Sequence, residues 1–316
     1  MQGYSVRTTV RSLDKESAVR ARISANIDPG NRLSFFVADL TSEAGWDAAV
    51  AGCDYVLHVA SPVGHDIPRD PNVLIVPARD GALRVLRAAC RAKVQRVVMT
   101  SAVEACRPPL TSPDCVSDES RWTDTNDAKL RPYRLSKVIA ERAAGDFMAS
   151  QTRPTTLTTI LPVAVLGPVF SAENLGSVQL ISRLLDGSMP GIPRLGFCVV
   201  DVRDVVDLHI RAMTAPEAAG ERFIAAGGWV WWKDVSSVLR SALGASAKKV
   251  PTRGVQDFVL RIVALFDRQM QFMTPLFGRK HTFTSAKVQA VLGWKPRPAA
   301  EMIVDCARSL IATGAV

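Results

Sequence analysis

Apolar and polar positions along the first half of the chain change rhythm repeatedly, from alternation by twos to spacing by threes and fours. Ser5 to Arg11 alternates in the β-branched manner of a strand, and Asp14 to Ile27 then reads as a polar helix. Leu33 to Val37 is a second apolar strand ending at Asp39. A short helix over Asp47 to Ala51 leads through Gly52 to a third strand, Tyr55 to Val59, which closes at Ala60 and Ser61. Gly81 to Ala92 carries Leu83, Leu86 and Cys90 at helical spacing, and Arg96 to Thr100 is a buried strand. Tyr133 to Ser150 predicts a helix, and Thr155 to Val165 a further strand. Strands separated by helices in this way pair in parallel, with helices on both faces of the sheet. The fold class that follows is α/β, a doubly wound parallel sheet.

Beyond residue 166 the alternation loosens. Leu180 to Leu185 and Val205 to Ala212 read as helices, with Cys198 to Val202 extended between them. Trp229, Trp231 and Trp232 cluster before a helix over Lys233 to Leu243. The amphipathic stretch Val255 to Phe266 is interrupted by Asp257 and Arg261, so it reads as core packing or a partner-facing helix rather than a membrane contact. Two regions are expected: 1–166 carrying the parallel sheet, and 167–316 forming mostly a smaller cap, with some segments returning to the sheet.

With 316 residues, 47% of them hydrophobic and 22% charged, the chain is long enough to bury a large core without disulfides or metals. The formal charge of +9 is spread over scattered arginines such as Arg20, Arg22, Arg84, Arg87 and Arg91, not gathered in a run, so no nucleic-acid partner is expected. The six cysteines form no close pair and no ligand-spaced cluster with the four histidines, which points to reduced thiols, a cytoplasmic setting and no metal site. The most apolar stretch, Leu157 to Phe170, is broken by Pro162 and Pro168, so no membrane span is expected either.

Candidate chemistry begins with Tyr133 and Lys137, four residues apart and therefore on one face of their helix. An ammonium beside a phenol favours the phenolate, and so brings proton transfer closer to neutral pH. Ser101 follows directly on a buried strand, at the sheet edge where parallel folds place ligand-binding groups. Its hydroxyl suits a hydrogen bond to the same oxygen that a tyrosine protonates. Plainer readings stand beside these: Tyr133 as a packing residue, Lys137 as a solvated charge, Ser101 as a strand-end turn, and His58 as a packed histidine on its strand.

Val97-Val98-Met99-Thr100-Ser101 and Tyr133 with Lys137 are joined by further motifs. These are Gly3 to Arg7, Asp39-Leu40, His58 to Pro62, Asp118-Glu119 with Trp122, Gly167-Pro168, Asp201 to Val205 and Leu292-Gly293-Trp294. On these the sequence strongly resembles the extended short-chain dehydrogenase/reductases, in the branch of dihydroflavonol reductase-like proteins and NAD-dependent epimerase/dehydratases. The resemblance implies a Rossmann-like NAD(P)-binding domain over 1–166 and an oxidoreductase that moves a hydride between NADPH and a carbonyl or secondary alcohol. Tyr133 would exchange the proton and Ser101 would hydrogen-bond the substrate oxygen. Lys137 would hold the nicotinamide ribose and lower the pKa of Tyr133.

Arg11, at a strand end that reads the adenosine ribose, favours a 2′-phosphate, so NADP is preferred and NAD is possible. Asp39 and Leu40 would lie beside the adenine, Ala60 and Ser61 under the ribose and pyrophosphate, and Pro162 with Val165 near the nicotinamide. A small-molecule carbonyl or alcohol is the expected partner, with the protein a monomer or homodimer. An NAD-dependent sugar epimerase/dehydratase or a hydroxysteroid dehydrogenase is the alternative within the fold. A non-catalytic dinucleotide sensor or scaffold is the alternative outside enzymes.

The pattern departs from the family at its beginning. Members open with a buried strand, a Gly-x-x-Gly-x-x-Gly turn and a helix before the equivalent of Gly3-Tyr4-Ser5-Val6. That first strand and glycine turn are missing here. The turn supplies backbone N–H groups to a pyrophosphate, so the sequence as written implies weak cofactor binding. The expectation is that the natural start lies roughly twenty-five residues upstream, which would complete an ordinary two-part α/β enzyme; the alternative is a truncated gene whose product has lost catalysis. The strands from Ser5 and Leu33 are predicted to lose their bridge to the strand from Tyr55, leaving a gap or exposed edges.

Overall fold

The computed structural model describes residues 3–316 apart from 63–67, 69, 128–129, 153 and 174. In chain order the first elements are β1 (Val6–Val10), α1 (Glu16–Ser24), β2 (Leu33–Val37), α2 (Trp46–Val50), β3 (Tyr55–His58), α3 (Asn72–Arg91) and β4 (Arg96–Thr100). Then come β5 (Cys115–Ser117), α4 (Pro132–Ala149), β6 (Thr156–Pro162), β7 (Ala164–Leu166), α5 (Gln179–Leu185), β8 (Gly196–Asp201) and α6 (Val202–Thr214). The chain continues through β9 (Arg222–Ala225), β10 (Gly228–Trp231), α7 (Trp232–Leu243), α8 (Asp257–Val263) and α9 (Arg268–Met273). It ends with β11 (His281–Phe283), α10 (Ala286–Leu292) and α11 (Ala299–Ala312).

Most predicted elements lie where the periodicity put them. Two differ. Helix α3 starts at Asn72, well before Gly81, and runs through Pro77. The strand expected over Thr155 to Val165 is two, β6 and β7, because Val163 breaks the run between Pro162 and Ala164.

The residues divide into two compact units, 1–105 with 124–160 and 212–222, and 106–123 with 161–211 and 223–316. The two are therefore interleaved along the chain, with 212–222 belonging to the first unit. In the first unit β3, β4 and β6 run parallel, with Tyr55 to His58 beside Arg96 to Met99, and Arg96 to Thr100 beside Thr156 to Ile160. Their apolar side chains meet α3 and α4 in a core of Ala78, Ala82, Leu86, Ala89, Val97, Met99, Ala140, Ala144 and Leu157. Helices α3 and α4 carry small residues on this face, which lets them lie close to the sheet and to each other.

β1 and β2 form a separate parallel pair, Val6 to Val10 against Leu33 to Val37. Among the described residues no ladder joins this pair to β3. Packing holds it instead: Ala38, Trp46 and Val50 meet Val85 and Ala88 of α3.

In the second unit β8 pairs antiparallel with β10 and parallel with β7, and β11 pairs parallel with β5. α5, α7 and α11 supply Ile181, Leu184, Val235, Leu239, Met302, Cys306 and Leu310 to a large core. Asp201 is fully buried, and Arg203 bridges it to Asp305 at 2.8 and 2.7 Å. Trp294, also fully buried, donates its indole N–H to the Asp204 carbonyl at 2.9 Å. Thus the motifs Asp201 to Val205 and Leu292 to Trp294 are the two sides of one structural lock. No helix among the described residues is long and apolar enough to cross a membrane.

Candidate active site

Tyr133 and Lys137 lie on one face of α4, as their spacing requires, and the Lys137 ammonium stands 5.6 Å from the centre of the Tyr133 ring. The helix starts at Pro132, whose fixed φ and missing N–H suit a first helical position, so Tyr133 enters the site in the first turn. Lys137 is buried, 6% exposed. Burial lowers its pKa to about 8, and the negative charge of Glu141, one turn further along, opposes that fall. Among the described residues no protein acceptor takes a hydrogen bond from its Nζ.

Tyr133 does not behave as the sequence suggested. Its pKa is pushed up to about 12, first by burial and then by the charge of Glu104. The Lys137 ammonium sits by the ring of this largely desolvated phenol. Glu104, in the turn after β4, pairs with Arg134 of α4. His58, at the end of β3, is buried and held neutral, its pKa pushed down to about 4 by burial with the Lys137 charge adding to it.

Ser101 continues directly from β4, and its N–H donates to the Ile160 carbonyl of β6 at 2.7 Å. Its hydroxyl donates to Glu141 Oε2 at 2.5 Å. The other carboxylate oxygen, Oε1, accepts from Arg222 Nε at 2.6 Å. Burial raises the Glu141 pKa, and Arg222, Ser101 and Lys137 all act against that rise. Sequence reasoning missed Glu141, although its spacing of four from Lys137 and eight from Tyr133 marks the same helix face. Arg222, 81 positions away from Glu141, carries no such local signal.

The residues expected around an adenosine lie at the ends of β1 and β2. Ala38 N–H donates to the Val10 carbonyl, which brings Arg11 close to Asp39. The Asp39 carboxylate accepts from the Thr41 hydroxyl at 2.6 Å and the Thr41 N–H at 2.7 Å. These bonds hold its pKa below the ordinary range, with the charges of Arg11 and Arg84 adding to the effect. Leu40 packs against Gly81 of α3, so closely that a β-carbon at position 81 would fall 2.8 Å from the Leu40 Cβ. The Trp46 indole N–H ties this loop down through the carbonyls of Asp39 and Ser42.

Ala60 and Ser61 follow β3 in the first unit. Pro162 ends β6 and Val165 lies in β7, both in the second unit. His65 lies outside the described residues. Among those described, no group of three or more His, Cys, Asp or Glu side chains is placed to hold a metal ion.

Three features fit a nicotinamide dinucleotide: a buried ammonium with unused donors beside a phenol, at the carboxyl edge of a parallel sheet; an arginine at the end of β1; and an aspartate at the end of β2. The architecture, a parallel sheet covered by helices, is of the Rossmann type.

Comparison with known proteins narrows the class. Residues 2–226 match the NAD dependent epimerase/dehydratase family, and the chain belongs to that family. It is 36% identical to cinnamoyl-CoA reductase 1 of Arabidopsis thaliana over 228 residues, 71% of this chain and 64% of that protein. It is 34% identical to a Vitis vinifera anthocyanidin reductase over 239 residues, 71% of this chain and 69% of the relative. The chain thus spans about two thirds of the length of these curated relatives. Its fold matches that of a yeast methylglyoxal/isovaleraldehyde reductase solved with NADPH, at a TM-score of 0.80 and 24% identity, covering 100% of this chain and 94% of that one.

Proposed function

We propose that this protein is an NADPH-dependent reductase that converts a carbonyl group of a small, partly apolar molecule to an alcohol. The observation that carries the reading is the buried face of α4, where Tyr133 and Lys137 lie beside one another and one carboxylate away from Ser101. A bound nicotinamide supplies the hydride. Tyr133, whose pKa of about 12 keeps it protonated at neutral pH, donates its phenolic proton to the oxygen of the carbonyl being reduced. Lys137 offers its unused N–H donors to the ribose hydroxyls, and its positive charge offsets the phenolate left on Tyr133. Ser101 hydrogen-bonds the substrate oxygen once its hydroxyl turns away from Glu141. Arg11 takes the 2′-phosphate of the adenosine ribose, which selects NADP over NAD.

The reading is tested by mixing the purified protein with NADPH and a panel of aldehydes, ketones and thioesters, with Tyr133→Phe beside it. Carbonyl-dependent NADPH oxidation that the variant lowers by about 10²- to 10⁴-fold is the expected result. Equal oxidation by both proteins would remove Tyr133 from the mechanism. A folded protein that binds NADPH and leaves every carbonyl untouched would instead favour a dinucleotide sensor.

A further inference from the structure

A carboxylate that is 3% exposed is costly unless its charge is met from more than one side. Glu141 is met from three. Ser101, next to β4, donates to Oε2. Arg222, at the start of β9, donates to Oε1 at 2.6 Å and is itself largely buried, its side chain 16% exposed. Lys137, one helical turn back on α4, adds its positive charge.

From these contacts we propose that Glu141 is a positioning residue of the active site, which holds the Ser101 side chain in place through one oxygen until a substrate oxygen competes for its hydroxyl, is anchored by Arg222 through the other, and supplies the counter-charge that keeps Lys137 an ammonium. The inference rests on the reading of Tyr133 and Lys137 as the reacting pair, and deepens it. The charged and titratable groups around Lys137 are His58 from β3, Tyr133 and Glu141 from α4, and Arg222 beyond Glu141. His58 is neutral, and Tyr133 is uncharged at neutral pH, so among these groups Glu141 supplies the negative charge acting on the lysine. Glu104 acts on Tyr133 and is paired with Arg134.

The consequence for chemistry is specific. A lysine that loses its proton near pH 8 gives up a ribose donor and the charge that offsets the tyrosinate. Glu141 therefore sets the upper pH limit of the site without touching substrate or cofactor. It also fixes where Ser101 points: while the carboxylate is ionised it accepts the serine proton, and a substrate oxygen must compete for that proton.

The test reads Lys137 directly, in the full chain without cofactor, by NMR of its Cε across the pH range, with the signal assigned through Lys137→Arg. In the wild type the titration is expected near about 8. In Glu141→Gln, which keeps the shape and the hydrogen-bonding atoms but removes the charge, the midpoint is expected to fall by about one unit or more, while Glu141→Asp restores most of it. A folded Glu141→Gln protein with an unmoved Lys137 titration overturns the proposal.

Should the glutamine variant fail to fold, the wild type alone decides. Its Glu141 carboxyl carbon should be ionised at neutral pH and should shift again as Lys137 loses its proton. A protonated Glu141 at neutral pH, or a resonance that ignores the lysine, overturns the proposal equally. Neither measurement depends on turnover, so failure of the reductase reading and failure of this one are separate results.

Discussion

The two ends of the first unit are built differently. At the β3-β4-β6 end, Val97 and Val98 are fully buried, two helices cover the sheet, and the polar groups are joined by Glu141. At the β1-β2 end, adjoining strands leave apolar side chains in water: Leu57 of β3 is 43% exposed, and Val59, just beyond it, is 60% exposed. The reacting groups are held by a packed core, whereas the groups expected to read the adenosine ride on a two-stranded pair secured by helix packing and by hydrogen bonds from Arg7 and Arg20. A parallel pair outside a larger ladder has little stability of its own, so Trp46 and the α2-α3 contact carry the adenosine end.

The sharpest way to break this contrast is Trp46→Ala. Removing a buried indole that also ties down the Asp39 loop is expected to cost about 3–5 kcal/mol, with the loss concentrated at one end. Hydrogen exchange should then show β1 and β2 losing protection while β4 keeps it. Equal loss in both would mean that the two ends unfold as one body.

Next in size is an acid-side effect at the packed end. His58 titrates at about 4 in the folded protein, against 6.5 ordinarily, so the unfolded chain takes up the proton first as the pH falls. Its contribution is complete above pH 6.5 and drains between there and about pH 4, up to roughly 3 kcal/mol. Urea unfolding of His58→Phe across that window should show a shallower decline than the wild type. An unchanged slope would move the acid sensitivity to other groups.

A smaller effect is expected from Arg11→Asp, which should lower the ratio of kcat/KM for NADPH over NADH by about tenfold or more. It should leave the pH dependence of Tyr133 and Lys137 alone, because Arg11 lies at the other end. An unaltered ratio would take Arg11 out of cofactor selection. Smallest of all, Leu57→Ser should change stability by no more than about 0.5 kcal/mol. A large loss there would show that the open edge of β3 is covered in solution.

How much of this was legible beforehand follows from distance along the chain. The fully buried strand β4 stood out, as did α4 with Tyr133 and Lys137 one turn apart, whereas the buried β9 and the short β11 did not. The start of α3 did not, because Pro77 mimics a helix boundary. Asp39 was singled out and lies two residues beyond β2, where the Arg11 charge acts on it. Its Thr41 contacts, also two residues away, are those of an ordinary turn.

The sequence by itself determined the parallel α/β architecture, the placing of the phenol and ammonium on one helix face, and through its motifs the family. These are short-range properties, set by side-chain period and spacing. Only the tertiary structure decided that Ser101, Glu141 and Arg222 converge, that the charge of Glu104 acts on Tyr133, and that the Tyr133 pKa rises rather than falls. Those outcomes depend on burial and on charges brought together across dozens of residues, and desolvation of a phenol or a lysine is a property of its surroundings, which no local pattern encodes.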